Sequence, residues 1–211
     1  MKQFKKILLI VVILCSVANV FAQSKHISET PAHKKFNQLL KEINLQFTFP
    51  AGFREIAPVD NDDFSYDYAM ELPDHDFEVW LQVKSQKQNW ISYDRARYDK
   101  TQKEVANPDS MYVDMSSADA KALGGDNDIL VRSMPQEILS RYNADVGKSY
   151  LISLTDLDIT KHYKYALLVA LQKSHTGTLI AVYFTNEKDA DFYHEVYRAA
   201  HCLRFMDKPA K

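Results

Sequence analysis

Tyr165-Ala166-Leu167-Leu168-Val169-Ala170-Leu171 carries no charge, and its only polar side-chain atom is the Tyr165 hydroxyl. A strand with one face in water alternates apolar and polar residues, so this unbroken run predicts a strand covered on both faces. His175-Thr176-Gly177 reads as a hairpin turn after it, and Thr178 to Phe184 as the returning strand. Before it, Tyr150 to Leu154 reads as another strand. After it, Asn186 is placed to cap a final helix, with Asp189 in the first turn favouring the positive helix end. Phe192, Val196, Ala199, Ala200 and Leu203 form the apolar side of that helix.

Further from the run, Phe64, Tyr66, Tyr68 and Met70 alternate with Ser65, Asp67, Ala69 and Glu71. Phe77, Val79, Leu81 and Val83 alternate with Glu78, Trp80, Gln82 and Lys84. The Leu72-Pro73-Asp74-His75-Asp76 cluster between them predicts a turn. Together they predict a hairpin with one buried and one mostly polar face, on which Trp80 is the exception. At the start, Thr30-Pro31 reads as a helix entry, and Phe36, Leu39, Leu40 and Ile43 make one helical stripe. Leu45 to Phe49 reads as a short strand, Pro50-Ala51-Gly52 as a turn, and Phe53 to Ile56 as extended chain.

Ser85 to Met134 shows no strand pattern. Two helices are predicted there, Tyr93 to Ala106 and Ser117 to Leu123, the second closed by Gly124. Gly124-Gly125-Asp126-Asn127-Asp128 reads as a loop. A third helix is predicted from Pro135 to Tyr142, with Ser133 and Gln136 spaced as a capping box. Hairpin connections make the sheet largely antiparallel, and a doubly covered strand needs helices on both faces. The fold class that follows is α+β, a layered sandwich.

The first 22 residues read as a separate unit. Lys2, Lys5 and Lys6 precede the apolar run Ile7 to Cys15, and Val20-Phe21-Ala22 has a small residue at its end. This is the layout of a secretory signal, with cleavage expected after Ala22. The apolar run is short of the ~20 residues of a membrane span. Leu14 before Cys15 is too bulky for a lipoprotein processing site. Removing 22 of the 211 residues leaves 189, residues 23–211, read as one domain whose residues 23–30 are polar and loose. No membrane span is expected after cleavage, and an exported protein is expected in the periplasm or outside the cell. The whole chain has 26 Lys plus Arg against 28 Asp plus Glu, a net charge of −2. Losing three lysines and no acid takes it to −5. Nucleic-acid binding has no electrostatic footprint in such a chain. Cys202 is then the one remaining cysteine, which excludes an internal disulfide and reads as a small buried hydrophobe.

Phe47-Thr48-Phe49-Pro50-Ala51-Gly52-Phe53 resembles the F-x-F/Y-P-x-G-W/F opening strand and turn of the PsbP-like fold. That fold includes the extrinsic P subunit of photosystem II, a yeast nuclear import factor that binds the GTPase Ran, and exported bacterial proteins. The closing hairpin of Tyr163 to Phe184, a long helix and Leu203-Arg204-Phe205 are similar too. The resemblance spans Leu45 to Phe205, with Phe53 where Trp is common and Ser85 to Met134 outside it. It implies an α/β/α sandwich with a mostly antiparallel central sheet, and an accessory or binding role without enzyme chemistry. It transfers no functional residue.

The residues themselves carry no G-x-S-x-G, P-loop, G-x-G-x-x-G or H-E-x-x-H motif. His201 and Cys202 are adjacent on a helix and point about 100° apart, so they form no dyad. His194 and His201 lack a third ligand for zinc. Asp60-Asn61-Asp62-Asp63 and Asp126-Asn127-Asp128 lack the glycine and distal glutamate of a calcium loop. They read as solvated turns, and no metal or cofactor is expected. Trp80, Trp90 and Tyr93 are the candidate binding residues. Trp80 marks a contact surface if its face is open and second-layer core if Ser85 to Met134 folds over it, as the doubly buried strand favours. Asn143-Ala144-Asp145-Val146-Gly147 reads as an Asx-type turn, or as a polar pocket element centred on Asp145. The expectation is a non-catalytic module that binds a protein or a cell-envelope component. The alternatives are an enzyme drawing its acid and base from Asp145, His162, His175 or the acidic loops, and a homo-oligomer joined through sheet edges.

Overall fold

Residues 30–61, 63–98 and 106–207 are described by the structure, a computed structural model. The signal-like residues 1–22 lie outside them. The chain divides into two units, 1–31 and 32–211, and of the first only Thr30 and Pro31 are described. The order is α1 (Pro31–Glu42), β1 (Leu45–Phe47), β2 (Arg54–Ile56), β3 (Tyr68–Glu71), β4 (Phe77–Ser85), α2 (Lys87–Tyr98) and α3 (Met111–Gly124). There follow β5 (Ile129–Ser133), α4 (Gln136–Tyr142), β6 (Val146–Ser153), β7 (Tyr165–Lys173), β8 (Gly177–Thr185), α5 (Ala190–Ala200) and β9 (Leu203–Phe205).

Seven strands form one sheet in the order β2-β3-β4-β8-β7-β6-β5, and every neighbouring pair is antiparallel. The run Tyr165 to Leu171 lies in β7, between β8 and β6. Residues Leu167, Val169 and Leu171 face one apolar layer, which Phe36, Leu40, Leu139, Tyr142, Phe192 and Ala199 supply from α1, α4 and α5. Ala166, Leu168 and Ala170 face a second layer with Tyr112, Ala120 and Leu123 of α3. The fold is therefore α+β, with helices on both faces of an antiparallel sheet. β1 and β9 pair with each other beside the first layer, Leu45 opposite Phe205 and Phe47 opposite Leu203.

Glycine is required at turns and close approaches. Gly52 sits at φ +86° in the turn after β1, and Gly177 opens β8 against the backbone of Lys84. A Cβ on Gly177 would lie 2.7 Å from the Lys84 carbonyl oxygen and run into Ile43. This close approach seats α1 on the sheet.

Some expectations hold and others need correction. The second face of β4 is covered, the alternative that the doubly buried strand favours, even though its residues are mostly polar: Glu78, Trp80 and Gln82 are all buried. Their polar heads are paired inside the layer, Glu78 with Lys161 at 2.6 Å and Gln82 with the Ser65 carbonyl at 2.5 Å. Ser85 to Met134 does contain a strand, β5, which pairs with β6. Only its first residue is even partly buried, so it carries no alternation. α2 begins six residues before the expected Tyr93, and residues 99–105 lie outside the described set. α3 starts at Met111 rather than Ser117. Pro135, not a capping box, precedes α4, because Ser133 is held in β5. Asp189 itself caps α5 by accepting from the Phe192 N–H at 2.8 Å. Asn186 instead donates to Asp76 and accepts from the Lys164 N–H.

Candidate binding cleft

Trp80 is 1% exposed and sits against Phe64, Tyr66 and Phe184, the last at 4.4 Å between ring centres. Its Nε1 donates to Glu78 at 2.7 Å. It belongs to the second layer and offers no contact surface. Trp90 and Tyr93, on α2, pack edge to face at 5.3 Å. The Trp90 indole stacks on the His175 imidazole at 3.7 Å and donates to Asp109 at 3.2 Å. The same Asp109 oxygen accepts from Gln172 Nε2 at 2.8 Å and from the His175 N–H at 3.0 Å. Asp145 accepts from Lys173 Nζ at 3.1 Å and from the Ser174 N–H at 2.8 Å. Partial burial opposes its charge, but those donors prevail and hold its pKa below the usual value.

Trp90, Tyr93 and Asp145 thus meet at one end of the sheet, around the turn between β7 and β8. The polar atoms of Trp90 and Asp145 are engaged in fastening that turn. The Asp145 carboxylate is spent on Lys173 and Ser174, which fits the turn reading better than a pocket. His162 lies before β7 and His175 after it. A nine-residue strand separates such positions by about 30 Å. His162 pairs with Asp156 at 2.6 Å, and that carboxylate raises its pKa. His201 Nδ1 is 2.7 Å from the Tyr197 carbonyl. The Cys202 thiol lies 3.5 Å from the Arg198 carbonyl, and burial pushes its pKa up. Among the described residues, no three His, Cys, Asp or Glu side chains converge as metal ligands.

A roomy concavity with an apolar floor lies elsewhere. α4 is seven residues, about 10 Å long, whereas β6 and β7 extend close to 27–30 Å. Part of the first face therefore stays uncovered between α4 and α5. The space there is about 530 Å³, within the range of small-molecule sites. Leu167 and Val169 of β7 form its floor. Ile138 and Tyr142 of α4, and Tyr193, Val196, Tyr197 and Ala200 of α5, form its walls. Burial pushes the Tyr142 phenol up to about 12, so this wall carries no charge near neutrality. Arg132 of β5, Arg141 of α4, Arg204 of β9 and His201 stand around it, and among the described residues no carboxylate lines it. Arg141 lies over the Tyr197 ring at 5.8 Å.

These residues escaped the sequence reading because they come from five elements spread along the chain. One signal was present: Tyr193, Tyr197 and His201 repeat at helical spacing on the side of α5 away from its apolar stripe. Tyr193 and Tyr197 are about half exposed. The chain matches no protein-family model and no curated protein.

Proposed function

We propose that this chain is an exported, non-catalytic binding module of the PsbP-like kind, and that it takes its target in the cleft between α4 and α5. The observation that carries the reading is the 530 Å³ cleft, where an otherwise helix-covered sheet face is left open over apolar side chains. Export is supported by the basic, apolar and small-residue order of Lys2 to Ala22. A periplasmic or extracellular location follows from it. The PsbP-like reading rests on the Phe47 to Phe53 motif and on the order of the closing elements. A binding role is favoured over an enzyme because His162 and His175 lie at opposite ends of β7 and Asp145 is spent on the turn.

The neutral apolar dye Nile red tests the cleft. The protein is expected to bind it with fluorescence enhancement, and Val196→Trp, which fills the cleft, is expected to abolish that signal with an unchanged circular dichroism spectrum. Dye binding that survives the substitution would refute the assignment. A second reading, assembly through a sheet edge, draws on Leu130 and Val131, both about half exposed on the edge strand β5. Light scattering that returns a monomer mass removes it.

A further inference from the structure

We infer that the occupant of this cleft is a small amphiphilic carboxylate, its apolar body over Leu167, Val169 and Val196 and its anionic head toward Arg132 and Arg141. The inference rests on the cleft being the binding site, and names what binds there.

Charge is the reason for an anion. The chain as a whole is acidic, yet the cleft is bordered by three arginines and a histidine, with no carboxylate among the described residues of its lining. Among the described residues, Arg132, Arg141 and Arg204 form no ion pair. A counter-effect has to be weighed. α4 and α5 both end at this cleft, and each helix C-terminus acts as roughly half a negative charge. Arg204 meets that field at α4, donating to the Ser140 and Arg141 carbonyls at 3.2 and 2.7 Å. Two terminal dipoles amount to about one negative charge against three guanidinium charges, so about two positive charges remain. They belong to Arg132 and Arg141.

Geometry is the reason for a carboxylate on an apolar body. Arg141 lies over the Tyr197 ring and, among the described residues, forms no ion pair, and a guanidinium suits a planar two-oxygen acceptor. The body region offers no hydrogen-bonding partner, because Leu167 and Val169 of the floor and Val196 of the wall are aliphatic, whereas Ser149 lies opposite Arg132 at the head region. A fully polar anion would leave that apolar surface in water, and a neutral apolar molecule would leave the arginines unused. The basic, acid-free segment Lys2 to Ala22 of the same chain would place lysines against the arginines, which argues against self-occupancy.

The test is displacement of bound Nile red from the full-length chain, expressed with its first 22 residues in place, below the micelle concentration of each probe. Decanoate is expected to displace the dye at about tenfold lower concentration than decyltrimethylammonium, which has a chain one carbon longer and the opposite charge. In Arg132→Gln/Arg141→Gln the dye is expected to bind as before, and the preference to shrink to about twofold or less. Equal displacement by the two probes, or a preference unchanged in the double variant, overturns the inference while leaving the dye-binding cleft standing. Binding only to vesicles of anionic phospholipid, with none to free decanoate, overturns it in favour of a membrane surface. Dye release that follows protein concentration and dimer formation overturns it in favour of a second copy. Failure of Nile red to bind at all would strike the cleft assignment itself.

Discussion

Glu78 and Asp119 are carboxylates associated with the same apolar layer, and their surroundings set them apart. Glu78 is 2% exposed but accepts from Lys161 Nζ and from Trp80 Nε1. Burial disfavours the Lys161 ammonium, yet its hydrogen bond to Glu78 and the charges of Glu78 and Glu71 leave its pKa raised. Removing the cation strands a buried anion, which costs more than the pair itself contributes. Lys161→Met is expected to destabilise by about 2 kcal/mol, discounted because the lysine is half exposed. Adding Glu78→Gln should recover most of the loss, and urea unfolding of the single and double variants checks both expectations. Asp119 has no such partner: its Oδ2 is buried without a hydrogen bond, as is the Tyr66 hydroxyl. Burial raises its pKa from 3.8 to about 6, against a smaller opposing effect of Lys84. A carboxyl group with a raised folded pKa binds more protons folded than unfolded between those values. Its stabilising share is then present below about pH 4 and is lost as pH rises through about 6. Asp119→Asn should remove that loss, so at pH 7.5 the variant is expected to be more stable by about 1–2 kcal/mol, with the gap closing by pH 4. Thermal unfolding across that range measures it, and a gap that widens toward acid would contradict it.

Elements were legible in proportion to how periodically they are buried. α1 and α5 carry their buried residues on the stripes that Phe36 to Ile43 and Phe192 to Leu203 display. β7 and β8 are buried on both faces, as the run from Tyr165 predicts. β5 left no trace because four of its five residues are exposed, and it is a strand only through pairing with β6. α2 is the helical counterpart, twelve residues with none buried. It is held through Asn89, which donates to Gln86, and through Trp90, whose partner Asp109 also clamps the turn after β7. The cleft was illegible for a related reason, since Arg132, Arg141 and Arg204 converge only once three separate elements have packed. A helix with no buried residue and so few side-chain ties opens easily. Asp109→Ala removes the shared acceptor, and each lost hydrogen bond is worth about 1 kcal/mol. Amide hydrogen exchange across Lys87–Tyr98 is therefore expected to accelerate about tenfold or more, while β8 keeps its protection. Unchanged exchange in α2 would show that Trp90 is not its anchor.

At the scale of the whole sheet, two apolar layers share one wall. Strands β4, β7 and β8 present alternate residues to each, so neither layer can lose its strands without exposing the other. Unfolding of residues 32–211 is accordingly expected to be one cooperative transition, although the layers do not touch side chain to side chain through the sheet. Ile43 and Ile152 probe this directly. Both are fully buried, Ile43 against Gly177 in the first layer and Ile152 against Gly124 in the second. Ile→Val deletes one methylene and costs about 0.5–1.5 kcal/mol at a packed site. Opposite faces of a sheet place the two sites in separate contact sets, so the double variant should lose the sum of the two single losses to within about 0.5 kcal/mol. Each variant should keep a single transition whose midpoint agrees between tryptophan fluorescence, from Trp80 in the second layer and Trp90 at the end of the sheet, and far-ultraviolet circular dichroism, which reports all helices. A coupling above about 1 kcal/mol would mean that strain passes through the sheet. Separated midpoints would mean that one layer melts alone, and with it the open face between α4 and α5 would become a property of a locally unfolding region rather than a preformed cleft.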